Sequence, residues 1–130
     1  MGGQSIDAGA APIAYTARLD ANGMLDAAYG FGGAYRYPGG PGGSVLRSMD
    51  VVGNGRLLLG VARLETGGVS ETLLRVLAAT GRLDAGFGRN GRVVVFYRPA
   101  DTVVDGALRT ITAGTRSGSS TSILVQRRYP

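Results

Sequence analysis

Arg18-Leu19-Asp20-Ala21-Asn22-Gly23-Met24-Leu25-Asp26-Ala27-Ala28-Tyr29-Gly30-Phe31-Gly32-Gly33 returns, shifted by 58 positions, as Val76-Leu77-Ala78-Ala79-Thr80-Gly81-Arg82-Leu83-Asp84-Ala85-Gly86-Phe87-Gly88-Arg89-Asn90-Gly91. Eight of the sixteen ungapped pairs are identical: Leu19, Ala21, Gly23, Leu25, Asp26, Ala27, Gly30 and Gly33 each meet their own kind, and Tyr29 meets Phe87. A repeat of this length is one supersecondary unit stacked on a copy of itself. A weaker pair lies between and beyond these blocks. Asn54-Gly55-Arg56-Leu57 resembles Asp105-Gly106-Ala107-Leu108 at an offset of 51. The order along the chain is half a repeat, a whole repeat, and half again.

The turn chemistry states what the unit is made of. All three asparagines precede glycine, at Asn22-Gly23, Asn54-Gly55 and Asn90-Gly91, and Asp105-Gly106 is a fourth site of the kind. Such pairs favour two-residue type I′ hairpin turns, because both central residues need positive φ. β-Rich segments lie between them at 12–20, 33–38, 46–52, 56–63, 71–78, 92–97, 107–114 and 121–129. Arg92-Val93-Val94-Val95-Phe96-Tyr97 is the clearest, a β-branched and aromatic run after a turn. Segments 46–52 and 71–78 also fit a helical period. Pro38 to Ser44 and much of Arg116 to Ser122 read as loops. The prediction is a single all-β repeat domain over 12–130, with motif copies at 18–33 and 76–91, behind a flexible N-terminus at 1–11.

Composition agrees with a chain of short strands and many turns. Glycine supplies 23 of 130 residues, against a background of about 7%. All 14 basic residues are arginine, against 9 acidic ones, for a formal charge of +5. Arginine-only usage follows from GC-rich coding or from a surface that recognises anions, since guanidinium pairs bidentately with carboxylate and phosphate. Cysteine and histidine are absent. That removes disulfides, thiolate and imidazole metal sites, thiol catalysis and histidine-assisted serine catalysis. No apolar run reaches the roughly 18 residues of a membrane span, and no signal peptide is visible. A start at Met1-Gly2-Gly3 is compatible with a removed leader and hence a secreted origin.

The block Arg18 to Gly33, with its Arg-Leu-Asp-x-Asn-Gly-x-Leu-Asp-x-x-Tyr-Gly-x-Gly-Gly pattern, resembles the delta-60 repeat of bacterial proteins. Gly55-Arg56-Leu57-Leu58-Leu59-Gly60-Val61-Ala62 loosely resembles the strand that precedes the pattern. The second copy departs from it, with Thr80 at the turn asparagine and Val76 at the arginine. The resemblance covers most of 12 to 129. It implies antiparallel β-propeller-type blades of about four strands per repeat, in secreted or surface-associated bacterial chains. Eight strands then make two blades, and propellers close with four to eight. Open edges invite association. The expected partners are identical chains completing a ring, or the remainder of a longer array. The alternative fold is an eight-stranded β-sandwich within one chain.

Several motifs resemble catalytic or binding sites. Gly86-Phe87-Gly88-Arg89-Asn90-Gly91 matches a dinucleotide fingerprint, but a strand follows where that motif requires a helix. No lysine is present to serve a P-loop. Asp20, Asn22 and Asp26 are spaced like a short calcium loop, yet Ala78 and Thr80 replace two of the three in the second copy. Asp26 and Asp84 could be read as a glycosidase pair. Residues at equivalent repeat positions more simply cap their own turns. Catalytic residues, metal sites and cofactors are accordingly not expected.

The best binding candidate is an aromatic and guanidinium patch of Tyr35, Arg36, Tyr37, Arg92, Tyr97 and Arg98. Along a strand, one of Tyr35 and Arg36 must face solvent. The expected function is a non-enzymatic binding or assembly module, a lectin-like oligomeric propeller, recognising acidic polysaccharide or other carbohydrate. The alternative is nucleic-acid binding through dispersed arginines, which predicts a steep salt dependence. A carboxylate-only hydrolase ranks third.

Overall fold

A computed structural model describes residues 2–5, 10–53, 55–96, 98–104, 110–116 and 122–128 of the chain. Among them lie ten strands and no helix: β1 (Gly2–Ser5), β2 (Ile13–Ala17), β3 (Ala34–Tyr37), β4 (Gly43–Val52), β5 (Arg56–Glu65), β6 (Gly68–Leu77), β7 (Arg92–Val95), β8 (Arg98–Val104), β9 (Thr110–Arg116) and β10 (Ser122–Arg128). Every ladder is antiparallel. The all-β expectation holds, and the ambiguous segments are strand, 46–52 throughout and 71–78 up to Leu77. Two strands go beyond the sequence reading. One is β1, inside the segment read as a flexible N-terminus; the other is β8.

The strands form three sheets, β1-β2-β3, β4-β5-β6-β7 and β8-β9-β10, each ordered as the chain runs. The central sheet is a four-stranded meander, where the sequence suggests eight strands in two blades. Its strand β5 is buried on both faces, as its run of five buried residues from Leu58 to Ala62 records. On one face Leu59, Val61, Leu74 and Val76 pack with Ala14 and Tyr37 of the first sheet. On the other, Leu58 and Leu73 pack with Val52, Phe87 and Val95. Glu71 projects from this second face, where Arg98 at the start of β8 acts on it. Strands β1 and β2 approach β4 from one side, and β8 lies against β4 and β5. Sheet-to-sheet approach of the backbones is therefore concentrated at the β4 edge of the central sheet.

The two motif copies overlay in detail, with one correction to the register read from sequence. Pairing of Ala17 with Ala34 and of Leu74 with Arg92 makes Ala17 equivalent to Leu74. Asp26 N–H donates to Arg18 O at 2.9 Å, and Asp84 N–H to Arg75 O at 2.8 Å. Arg75, not Val76, thus takes the place of Arg18. The offset is 57 before the turn and 58 after it, because the second turn is one residue longer. In the first copy Asp20 N–H bonds Met24 O at 2.8 Å; in the second Leu77 N–H bonds Arg82 O at 2.8 Å. The physical cause lies in Asp20, whose Oδ1 accepts from Asn22 N–H at 2.8 Å and Met24 N–H at 2.9 Å. Ala78 and Leu77 have no such acceptor.

Turn types follow the same logic. At Phe31 to Ala34 and at Arg89 to Arg92, the flanking residues exchange backbone bonds around two residues of positive φ, Gly32-Gly33 and Asn90-Gly91. These are the type I′ hairpins expected of such pairs. Asn22-Gly23 is different: only Gly23, at φ 79°, is left-handed. It closes a three-residue hairpin, the next commonest form. Asn54 and the Asp105-Gly106 pair lie outside the described residues. A bulge sits between Leu46 and Ser48 in β4 and between Pro99 and Asp101 in β8. Each bulge lies in the strand that opens its sheet, opposite the next strand of the chain.

Candidate functional site

The turn from Ala78 to Arg82, which belongs to the second copy, is clamped by the first. Arg18 reaches across to Ala78 O at 3.2 Å and Ala79 O at 2.9 Å. Gly30 N–H donates to Thr80 O at 3.2 Å, and Tyr37 Oη–H donates to Gly81 O at 2.7 Å. The Tyr37 hydroxyl also lies 2.9 Å from Thr16 Oγ1, which in turn lies 2.6 Å from Tyr29 Oη. This buried hydroxyl chain satisfies groups that burial would otherwise leave costly. Burial pushes the Tyr37 phenol far above its ordinary range. Gly81 is required here: a Cβ would stand 2.7 Å from Tyr35 Cβ and 2.8 Å from Tyr29 Cζ.

Between the clamped turn and the β3 hairpin opens a groove of about 800 Å³, lined among others by Phe31, Tyr35, Arg36, Thr80 and Arg82. Phe31, at the hairpin tip, is 99% exposed. Arg36 and Arg82 are exposed, and neither has an acidic partner among the described residues. The volume falls within the range usual for small-ligand sites.

The patch expected from sequence is divided by the fold. Arg36 faces solvent and Tyr35 is half-buried, both on the groove. Tyr37 is 4% exposed and belongs to the core, with its ring 5.2 Å from that of Tyr35. The strand period explains this, since residues two apart share a face and Tyr35 and Tyr37 both turn inward. Arg92 and Arg98 are exposed but are not among the groove-lining residues. Tyr97 lies outside the described residues. Phe31 and Arg82 are the additions. They lie 51 positions apart in sequence, and only the stacking of one repeat on the next brings them together.

The repeated carboxylates serve their turns. Asp26 Oδ1 accepts from Ala28 N–H at 3.0 Å, and Asp84 Oδ1 accepts from Gly86 N–H at 3.1 Å. The second oxygen of each takes guanidinium bonds: Asp26 from Arg18 Nε at 2.8 Å, Asp84 from Arg56 Nε at 2.6 Å and Arg75 Nε at 2.9 Å. The Ala28 amide and the Arg18 guanidinium hold Asp26 below the usual carboxylate range, and Arg56 does the same to Asp84. The arginines also cover the repeated rings, Arg18 at 5.4 Å from Tyr29 and Arg75 at 4.8 Å from Phe87. Asp20 is equally engaged with its own backbone, so the calcium spacing has a turn-forming explanation. Glu71 shifts the other way, raised by burial, with Arg47 Nε 3.7 Å away.

No family model matches the chain, and comparison with curated proteins and with solved structures likewise finds no match. No helix among the described residues is long and apolar enough to cross a membrane.

Proposed function

We propose that this chain is a non-enzymatic binding and assembly module, built of β-propeller-type blades, that recognises acidic or carbohydrate ligands. One observation carries the reading: the first sheet packs on one face of the four-stranded meander, β8 of the third sheet lies against β4 and β5, and approach concentrates at β4. Blades radiating from a common axis converge in this way at their inner strand. A two-layer sandwich would instead leave one face of each sheet to water. The flanking sheets have three strands each, so the proposed ring is completed by identical chains or by further repeats. The delta-60 resemblance supports a secreted or surface location in a bacterium.

Light scattering over a range of concentrations tests the shared ring. A discrete oligomer with a concentration-dependent melting temperature is expected. A monomer that unfolds cooperatively at every concentration would overturn closure by identical chains. Nucleic-acid binding is the second reading, favoured by exposed arginines such as Arg82, Arg89 and Arg92 that lack acidic partners among the described residues. It requires affinity for single-stranded DNA that falls steeply with salt.

A further inference from the structure

We infer that the groove between the repeats is a subsite for a carboxylated saccharide, with Phe31 against a sugar ring and Arg36 and Arg82 on its carboxylate. The inference rests on the binding-module reading and assigns its ligand class and residues. Comparing the two copies within the chain separates scaffold from site. Asp26, Gly30 and Gly33 recur as Asp84, Gly88 and Gly91, with the same backbone bonds at the aspartates and at Gly33 and Gly91 and the same positive φ at the glycines. Three side chains that line the groove do not recur. Phe31 corresponds to Arg89, Tyr35 to Val93 and Arg36 to Val94. A residue needed only to form the hairpin would suit both copies equally. These three differ because the first hairpin faces a groove whose other wall is the turn from Ala78 to Arg82.

Chemistry selects the ligand. A fully exposed phenylalanine loses nothing in the unbound fold and gains apolar contact when a flat ring face covers it. Two exposed guanidiniums without acids in the same groove call for an anion, and their planar fork suits a carboxylate. One stacking ring beside two guanidiniums fits a uronic acid unit, which carries one ring face and one carboxylate. Single-stranded nucleic acid is held on successive stacking platforms. Tyr35, the other ring in the groove, is half-buried against Tyr37. The groove is also preformed, since its second wall is clamped at four carbonyls by Arg18, Gly30 and Tyr37. Rigid walls lower the ordering cost of binding.

Calorimetric titration of the full chain with tetragalacturonate, neutral cellotetraose and the oligonucleotide dT8 tests the assignment. Tetragalacturonate is expected to bind about tenfold or more tighter than cellotetraose. Phe31→Ala, Arg36→Gln and Arg82→Gln are each expected to weaken it about fivefold or more, while Arg89→Gln changes it less than about twofold. All four side chains are exposed, and unchanged melting temperatures establish that the variants fold. Absence of tetragalacturonate binding would overturn the inference, as would dT8 binding more tightly through the same residues. An Arg89→Gln loss equal to the others would replace the groove with diffuse charge. Binding untouched by all four variants would overturn the groove and leave the module reading standing. Cleavage of the tetramer would overturn the non-enzymatic reading itself.

Discussion

Asp84 shows how one carboxylate organises a repeat: one oxygen orders the Gly86 turn and the other ties Arg56 of β5 to Arg75 of β6. Asp84→Asn keeps the shape but weakens the charge-assisted bonds, and is expected to cost about 1–2 kcal/mol by chemical denaturation at neutral pH. Because the folded pKa lies below the unfolded one, this contribution is present above roughly pH 4 and is lost as pH falls through the folded value. The melting temperatures of wild type and Asp84→Asn should converge below about pH 3; a gap that persists undiminished in acid would contradict the charge assignment. Glycines make a second test at this scale. A Cβ on Gly30, at φ 57°, would sit 2.1 Å from Ala34 O; Gly32, at φ 60°, and Gly67 have nothing within 4 Å, and Gly67 is not left-handed. Substitution by alanine should cost little at Gly67, about 1 kcal/mol at Gly32 and clearly more at Gly30. Equal losses at Gly30 and Gly32 would show that backbone conformation, not the close approach, decides.

At the scale of elements, the joint between the first and central sheets depends on hydroxyls as well as apolar packing. Tyr37→Phe removes the donor to Gly81 O and a partner of Thr16 while keeping the ring, and should cost about 1–2 kcal/mol in denaturant unfolding. Leu73→Ala, inside the central sheet, should cost about 2–5 kcal/mol by the same measurement. Much of this level was legible in the sequence. Arg92-Val93-Val94-Val95 declared β7, and Asn90-Gly91 declared its type I′ hairpin, whereas the equivalent turn at Gly32-Gly33 carries no asparagine and was not read as one. Strand β8 was not legible, because Pro99 interrupts a β pattern; its position at the edge of its sheet and its bulge accommodate the proline. The one-residue lengthening of the second turn was hidden by Leu77 and Ala79, which match Leu19 and Ala21 at an offset of 58 although Val76 is the structural counterpart of Leu19. Of the groove-lining residues, Tyr35 and Arg36 belong to the aromatic and guanidinium patch read from the sequence. Arg82 does not, since nothing local tells a turn arginine which hairpin it will face.

For the whole molecule, the central sheet should be the last part to open. Its strands β5 and β6 are joined by a ten-residue ladder and bury apolar side chains on both faces. Their inward-bonded amides should be the slowest to exchange with deuterium, and those of the edge strands β3 and β7 should exchange earlier. Uniform protection across all three sheets would argue that they open as one cooperative unit. The order of strands within each sheet carries a further consequence. Every described ladder joins a strand to its immediate successor, and the β5–β6 ladder closes through a loop of only Thr66 and Gly67. Pairing therefore asks for little chain closure over long separations, and contact order for the hairpins stays low. Such a chain can zip outward from the β5–β6 hairpin, each new strand docking on an edge already in place, and assembly can proceed during synthesis without waiting for the far end.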